Sequence, residues 1–173
     1  MQAAQEPSHA TGKGARVGDS AMSRARCKGK PEPHTTIATP AGARKISELR
    51  VGDWVYSVDH DQVVPVPIAA VKQRPARSHV VPQVLLENGR VLQISAAHPT
   101  ADGRTFGDLR AGDRLGELRV KSVELVTYEH PFTYDILPAS DTGFYFASGA
   151  LIGSTLAPRA GELVCETRTE VPE

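Results

Sequence analysis

The chain has 173 residues and carries 20 Lys and Arg against 20 Asp and Glu. That length suits one domain with tails, and the zero balance excludes a summed field that would draw it to nucleic acid or to an anionic membrane. Two cysteines, Cys27 and Cys165, are too few for a disulfide framework and wrongly spaced for a zinc site; no apolar run reaches the roughly 20 residues of a membrane span. Lacking a signal-peptide core, the sequence as written is expected in the cytoplasm, as a monomer with no metal and no cofactor.

Residues 1–34 are rich in Gly, Ser, Ala, Lys and Arg and hold almost no large apolar side chain, so a flexible polar leader is expected. The domain is expected over 35–156. It opens with an alternating β-branched run, Thr35 to Thr39, which turns at Pro40-Ala-Gly42 and returns over Arg44 to Leu49. Trp54 to Val58 is a strand, His60 lies in a polar turn, and Val63 to Val71 is a strand that Pro65 and Pro67 confine to an edge or a bend. Val80 to Glu87 and Arg90 to Ser95 flank Asn88-Gly89, a strong hairpin signal. Leu118 to Tyr128 reads as a bent strand burying Leu118, Val120, Val123, Leu125 and Tyr128 on one side. Two further strands follow, Phe132 to Leu137 and Phe144 to Ile152, and 157–173 reads as a disordered tail. Thirteen prolines and 15 glycines leave little room for long helices, so the fold class is all-β, built of short strands.

Within this pattern, Ile46 to Val55 and Phe106 to Leu115 repeat one another sixty residues apart, as apolar-x-x-Leu-Arg-x-Gly-Asp-x-apolar. An internal repeat points to two related halves. It also makes Gly52-Asp53 and Gly112-Asp113 turn-forming pairs rather than catalytic aspartates.

Three segments in order carry a resemblance to a known family. Thr36 to Gly42 with Ile46, Leu49, Gly52-Asp53 and Val55 to Ser57 resembles the N-terminal motif of Hint domains, the module of inteins and Hedgehog autoprocessing proteins. Gly89 to Pro99 is similar to the second motif, in which a Thr or like residue stands three positions before a His; here the pair is Ser95 and His98. Tyr134-Asp135 and Tyr145 to Ile152 resemble the C-terminal motif. Together they cover about 120 residues. The resemblance implies a Hint-type horseshoe of short strands with pseudo-twofold symmetry, and self-processing with the chain's own N-terminal segment as substrate.

In that family the first residue of the domain, Cys or Ser, attacks the carbonyl before it and converts an amide to a thioester or ester. The amide nitrogen leaves once protonated, a task for an imidazole of near-neutral pKa. His98 matches that histidine, Ser95 the hydroxyl that holds the reacting peptide, and Asp135 a residue that positions or polarises the groups or else caps a turn. The sequence departs at both ends. Five residues before Thr36, where the nucleophile belongs, stands Pro31, and the nearest thiol is Cys27, between Arg26 and Lys28, which lower its pKa. At the C-terminal end, Gly153-Ser154-Thr155 replaces the His-Asn of splicing inteins, and Asn88 is the sole asparagine. Splicing and cleavage by asparagine cyclisation are therefore excluded. The expected activity is at most a single-turnover N-terminal self-cleavage at Arg26-Cys27 by N-to-S acyl shift. The alternative is a catalytically inactive Hint domain serving as a structural or binding module.

Overall fold

The computed structural model describes residues 35–76 and 79–158. In chain order its strands are β1 (Thr36–Thr39), β2 (Gly42–Lys45), β3 (Trp54–Asp59), β4 (Gln62–Pro75), β5 (Val80–Leu86), β6 (Val91–Gln93), β7 (Arg114–Leu115), β8 (Leu118–Thr127), β9 (Phe132–Pro138), β10 (Tyr145–Ala147) and β11 (Ala150–Ile152). Single turns of 3-10 helix at Ile46–Glu48 and Phe106–Asp108 are the helical content of the described residues. None is long and apolar enough to cross a membrane.

The repeat is reproduced bond for bond. In each copy a 3-10 turn ends when the leucine N–H, of Leu49 or Leu109, bonds back to Ile46 or Phe106. A glycine in the left-handed region follows, Gly52 at φ 90° and Gly112 at φ 93°, a backbone state that glycine adopts without a Cβ penalty. The aspartate then folds back: Asp53 Oδ2 accepts the Arg50 N–H at 2.9 Å, and Asp113 Oδ2 accepts the Arg110 N–H at 2.8 Å. Each Gly-Asp pair also exchanges two backbone bonds with a later strand, Gly52-Asp53 with Ile68 and Gly112-Asp113 with Val120. The apolar positions of the repeat are buried in matching pairs, Ile46 with Phe106, Leu49 with Leu109, and Val55 with Leu115. Burying each such side chain contributes roughly 1.5–3 kcal/mol, so the two copies anchor both halves of one core. The result is an all-β fold of curled antiparallel sheets with pseudo-twofold symmetry.

Three sheets carry the remaining pairing, in the orders β11-β10-β1-β2, β3-β4-β9 and β6-β5-β8-β7. Strand β4 bends as its prolines require. Gln62 to Pro67 pair with β3, then a bulge between Ile68 and Ala70 hands the strand over to β9. The Pro67 carbonyl turns away from β3 to accept the Ala139 N–H at 2.9 Å, so the nitrogens of Pro67 and of Pro65, two residues before it, fall on the side away from the β3 ladder.

Four local expectations are corrected. The return strand after Pro40-Ala41 is Gly42–Lys45, because Ile46 to Glu48 closes into the 3-10 turn of the repeat instead of extending. The Asn88-Gly89 hairpin is wider than a two-residue turn. Only Gly89 has positive φ, and the bonds from Gly89 N–H to Leu86 and from Leu86 N–H to Arg90 describe a three-residue loop. The run Phe144 to Ile152 is a hairpin, β10 and β11, turning at Ser148 (φ 49°) and Gly149 (φ 88°). Leu125 is 74% exposed. It pairs with Pro82 near the outer end of the ladder, two residues beyond Val123, the last residue of β8 on that face to pack against the core.

Candidate functional site

His98 is placed by one tight turn and one longer-range backbone bond. Its N–H bonds to the Ser95 carbonyl at 2.9 Å, which folds Ser95 to His98 into a turn after β6, and its carbonyl accepts the Phe106 N–H at 3.0 Å, tying it to the second copy of the repeat. The imidazole is buried and meets the Phe106 ring edge-on at 5.9 Å. Nε2 lies 2.9 Å from the Gly153 carbonyl oxygen. A carbonyl can only accept, so Nε2 carries the proton and Nδ1 the lone pair of the neutral ring. Burial lowers the His98 pKa below its usual value, opposed by the charge of Asp135 and the bond to Gly153. At neutral pH the ring is therefore uncharged, able to take a proton and return it.

The strand past β11 is pinned beside His98. Ile152 bridges Thr100, and the Gly153 N–H bonds to the Pro99 carbonyl at 3.1 Å. A Cβ on Gly153 would lie 3.2 Å from Pro99 Cγ, so the close approach favours glycine here. In the family that the sequence resembles this position is histidine.

Asp135 sits in the middle of β9, opposite Lys72, and is buried. Its Oδ1 accepts the Tyr145 hydroxyl at 2.8 Å and the Ile136 N–H at 2.9 Å. Its Oδ2 accepts the Thr155 N–H at 2.7 Å and the Thr155 hydroxyl at 2.5 Å, with the Ser154 hydroxyl at 3.4 Å. Asp135 is thus no turn cap but a buried acceptor on which the end of the domain converges. Burial first, then the Asp135 charge and the hydrogen bond to it, raise the Tyr145 pKa well above the usual phenol value, which keeps its hydroxyl a donor.

Ser95, His98 and Asp135 all line one cleft of about 410 Å³, together with Thr35, Tyr145 and Thr155. The structure therefore brings together three of the four site residues expected from the sequence. The fourth, Cys27, lies outside the described residues. Thr35, the first residue described, lines the same cleft as His98. Tyr145, Ser154 and Thr155 were not singled out from the sequence. Their signal was available only through Asp135, as hydroxyl residues flanking the last strand pair of the C-terminal motif.

A second group of titratable side chains lies elsewhere. Asp59, His60 and Asp141 bring possible metal-ligand atoms within 4.8 Å of one another. They satisfy each other instead. Asp59 bonds to the His60 ring at 2.9 Å and to the Asp141 N–H at 2.7 Å, and the Asp141 carboxylate accepts the His60 N–H. This clasp ties the β3–β4 turn to the loop between β9 and β10.

No protein-family model and no curated protein sequence matches the chain. Solved structures do. The chain is similar to the zinc-bound Msm DnaB1 intein splicing domain, with 19% identity over 70% of this chain and 97% of that one and a TM-score of 0.58. It is similar to a bacterial intein-like domain from Clostridium thermocellum, with 20% identity over 68% of this chain and 93% of that one and a TM-score of 0.59. A DnaB intein from Synechocystis sp. PCC 6803 matches at 12% identity over 72% and 96% with a TM-score of 0.55. At these identities the likeness is one of fold, and the fold is that of intein splicing domains, the Hint fold.

Proposed function

We propose that this chain is an intein-like autoprocessing domain limited to N-terminal self-cleavage at Arg26-Cys27. The observation that carries the reading is the cleft shared by Ser95, His98, Asp135 and Thr35, in a fold like that of intein splicing domains. Thr35, the first described residue after Cys27 in the sequence, lines the same cleft as the imidazole.

The chemistry uses the groups in order. The Cys27 sulfur attacks the Arg26 carbonyl carbon, forming a C–S bond, and the thiol proton passes to a base. His98 Nδ1 is the free lone pair of a ring whose Nε2 is engaged by Gly153, which makes it the atom to take that proton and deliver it to the leaving Cys27 nitrogen. The depressed His98 pKa supplies the base form at neutral pH. The Ser95 hydroxyl holds the reacting peptide and Asp135 polarises the site from β9. Water or an added thiol then resolves the thioester, releasing a fragment that ends at Arg26. The reaction turns over once.

The inactive alternative draws on Pro31 at the family position of the nucleophile and on Gly153-Ser154 in place of His-Asn. Intact mass spectrometry of purified full-length protein, with and without dithiothreitol, separates the two readings. The active one expects a fragment ending at Arg26, faster with thiol and abolished by Cys27→Ala. An unchanged mass favours a structural or binding module.

A further inference from the structure

We propose a second self-processing reaction, at the Gly153-Ser154 peptide bond, in which the Ser154 hydroxyl attacks the carbonyl before it. It goes beyond the Arg26-Cys27 reading, since bond, nucleophile and products all differ.

Four observations meet on this one bond. First, the Gly153 carbonyl oxygen is held by His98 Nε2 at 2.9 Å, in a buried setting. A preset donor on the oxygen that becomes negative in a tetrahedral intermediate is the largest single aid to acyl transfer. Second, the next side chain is a hydroxyl, Ser154, itself buried, with Oγ 3.4 Å from Asp135 Oδ2. A nucleophile one peptide away from a fixed carbonyl needs no bimolecular encounter. Third, Asp135 is aimed at this point by bonds from Tyr145 and from the Thr155 N–H and hydroxyl, so its carboxylate is oriented before reaction. Fourth, the acyl group is glycine, pressed against Pro99, and offers the least hindered carbonyl a peptide can present.

The step balances without an outside reagent other than water. Ser154 Oγ forms a bond to the Gly153 carbonyl carbon as its proton passes to the Asp135 carboxylate. The oxyanion is held by the His98 Nε2–H. The C–N bond then breaks as the Asp135 proton moves to the Ser154 nitrogen. This leaves an ester between Gly153 and Ser154 Oγ, with a free amine on Ser154. Water hydrolyses the ester to a Gly153 carboxylate and a free Ser154 hydroxyl. No asparagine is involved, so the absence of His-Asn is no barrier.

The test is intact mass spectrometry of the full-length chain at neutral pH, with and without hydroxylamine, which intercepts esters. Fragments ending at Gly153 and beginning at Ser154 are expected, with a Gly153 hydroxamate when hydroxylamine is present. Their masses are distinct from those of a cut after Arg26, so failure of either reaction is read separately. Ser154→Ala should lose both fragments. Ser154→Cys keeps the nucleophile and should yield a thioester that dithiothreitol cleaves at the same bond, which guards against simple misfolding of the alanine variant. Asp135→Asn in the Ser154→Cys background should slow the cut by about 10²–10⁴-fold, the usual contribution of a positioned base. A chain that stays whole at this bond in hydroxylamine, in both the natural and the Ser154→Cys forms, overturns the proposal. So do the same fragments from Ser154→Ala, or a fragment beginning at Thr155.

Discussion

Tyr145→Phe isolates the bond that orients Asp135. The Tyr145 ring is 1% exposed and its hydroxyl donates to Asp135 Oδ1 at 2.8 Å. Phenylalanine retains the ring and its packing, so the loss is that of the hydrogen bond alone. Removing a hydrogen bond to a charged partner costs about 1.5–3 kcal/mol, and Oδ1 keeps only the Ile136 N–H afterwards. A loss of about 2 kcal/mol is expected, which at roughly 3–5 °C per kcal/mol for a folded region of this size lowers Tm by about 6–10 °C. Urea unfolding should show the midpoint fall with the slope unchanged. Combining Tyr145→Phe with Asp135→Asn should recover at least about 1 kcal/mol of coupling, as residues sharing one network do. A loss under about 0.5 kcal/mol, or strictly additive variants, would refute the convergence on Asp135.

Other perturbations follow from the same structure. Asp53→Ala and Asp113→Ala each remove a carboxylate that caps a backbone N–H, and each should cost about 1 kcal/mol in urea unfolding, within about 0.5 kcal/mol of the other; strongly unequal losses would contradict equivalent turns. His98 has a lowered folded pKa, so the unfolded chain takes up the proton first as pH falls. Its contribution to stability is full above about pH 6.5 and is lost below that value. His60, raised by the Asp59 hydrogen bond and charge, acts in the opposite sense and loses its contribution as pH rises through its folded pKa. The difference in urea midpoint between the natural chain and His98→Gln from pH 8 to pH 5 therefore isolates His98, and should shrink toward acid. Ser148 holds φ 49° in the β10–β11 turn, so Ser148→Val should cost about 1–3 kcal/mol in thermal unfolding while Ser148→Gly stays within about 0.5 kcal/mol.

Features carried by short-range pattern were legible in the chain: the Gly-Asp repeat, the proline bend of β4, and most strands. Each rests on a residue type with one physical preference, such as glycine at positive φ in Gly52 and Gly112. The Ser148-Gly149 turn carries the turn-marking pair Ser-Gly, but the flanking residues alternate like one continuous strand and mask it. The site divides in the same way. Ser95 and His98 belong to one turn and were found together, whereas the partners of Asp135 stand 10 to 20 residues away, brought there by the β10–β11 hairpin and the bend after it. Leu125 was misjudged because alternation marks a face without saying whether anything covers it.

The central claim, an acyl-enzyme at Arg26-Cys27 formed in the His98 cleft, is tested most directly by trapping the thioester. Full-length protein incubated at neutral pH with a fluorescent cysteine should transfer the dye to a fragment ending at Arg26. Cys27→Ala should give none, and His98→Gln about 10²–10⁴-fold less. An undyed, full-length chain after prolonged incubation would contradict the claim.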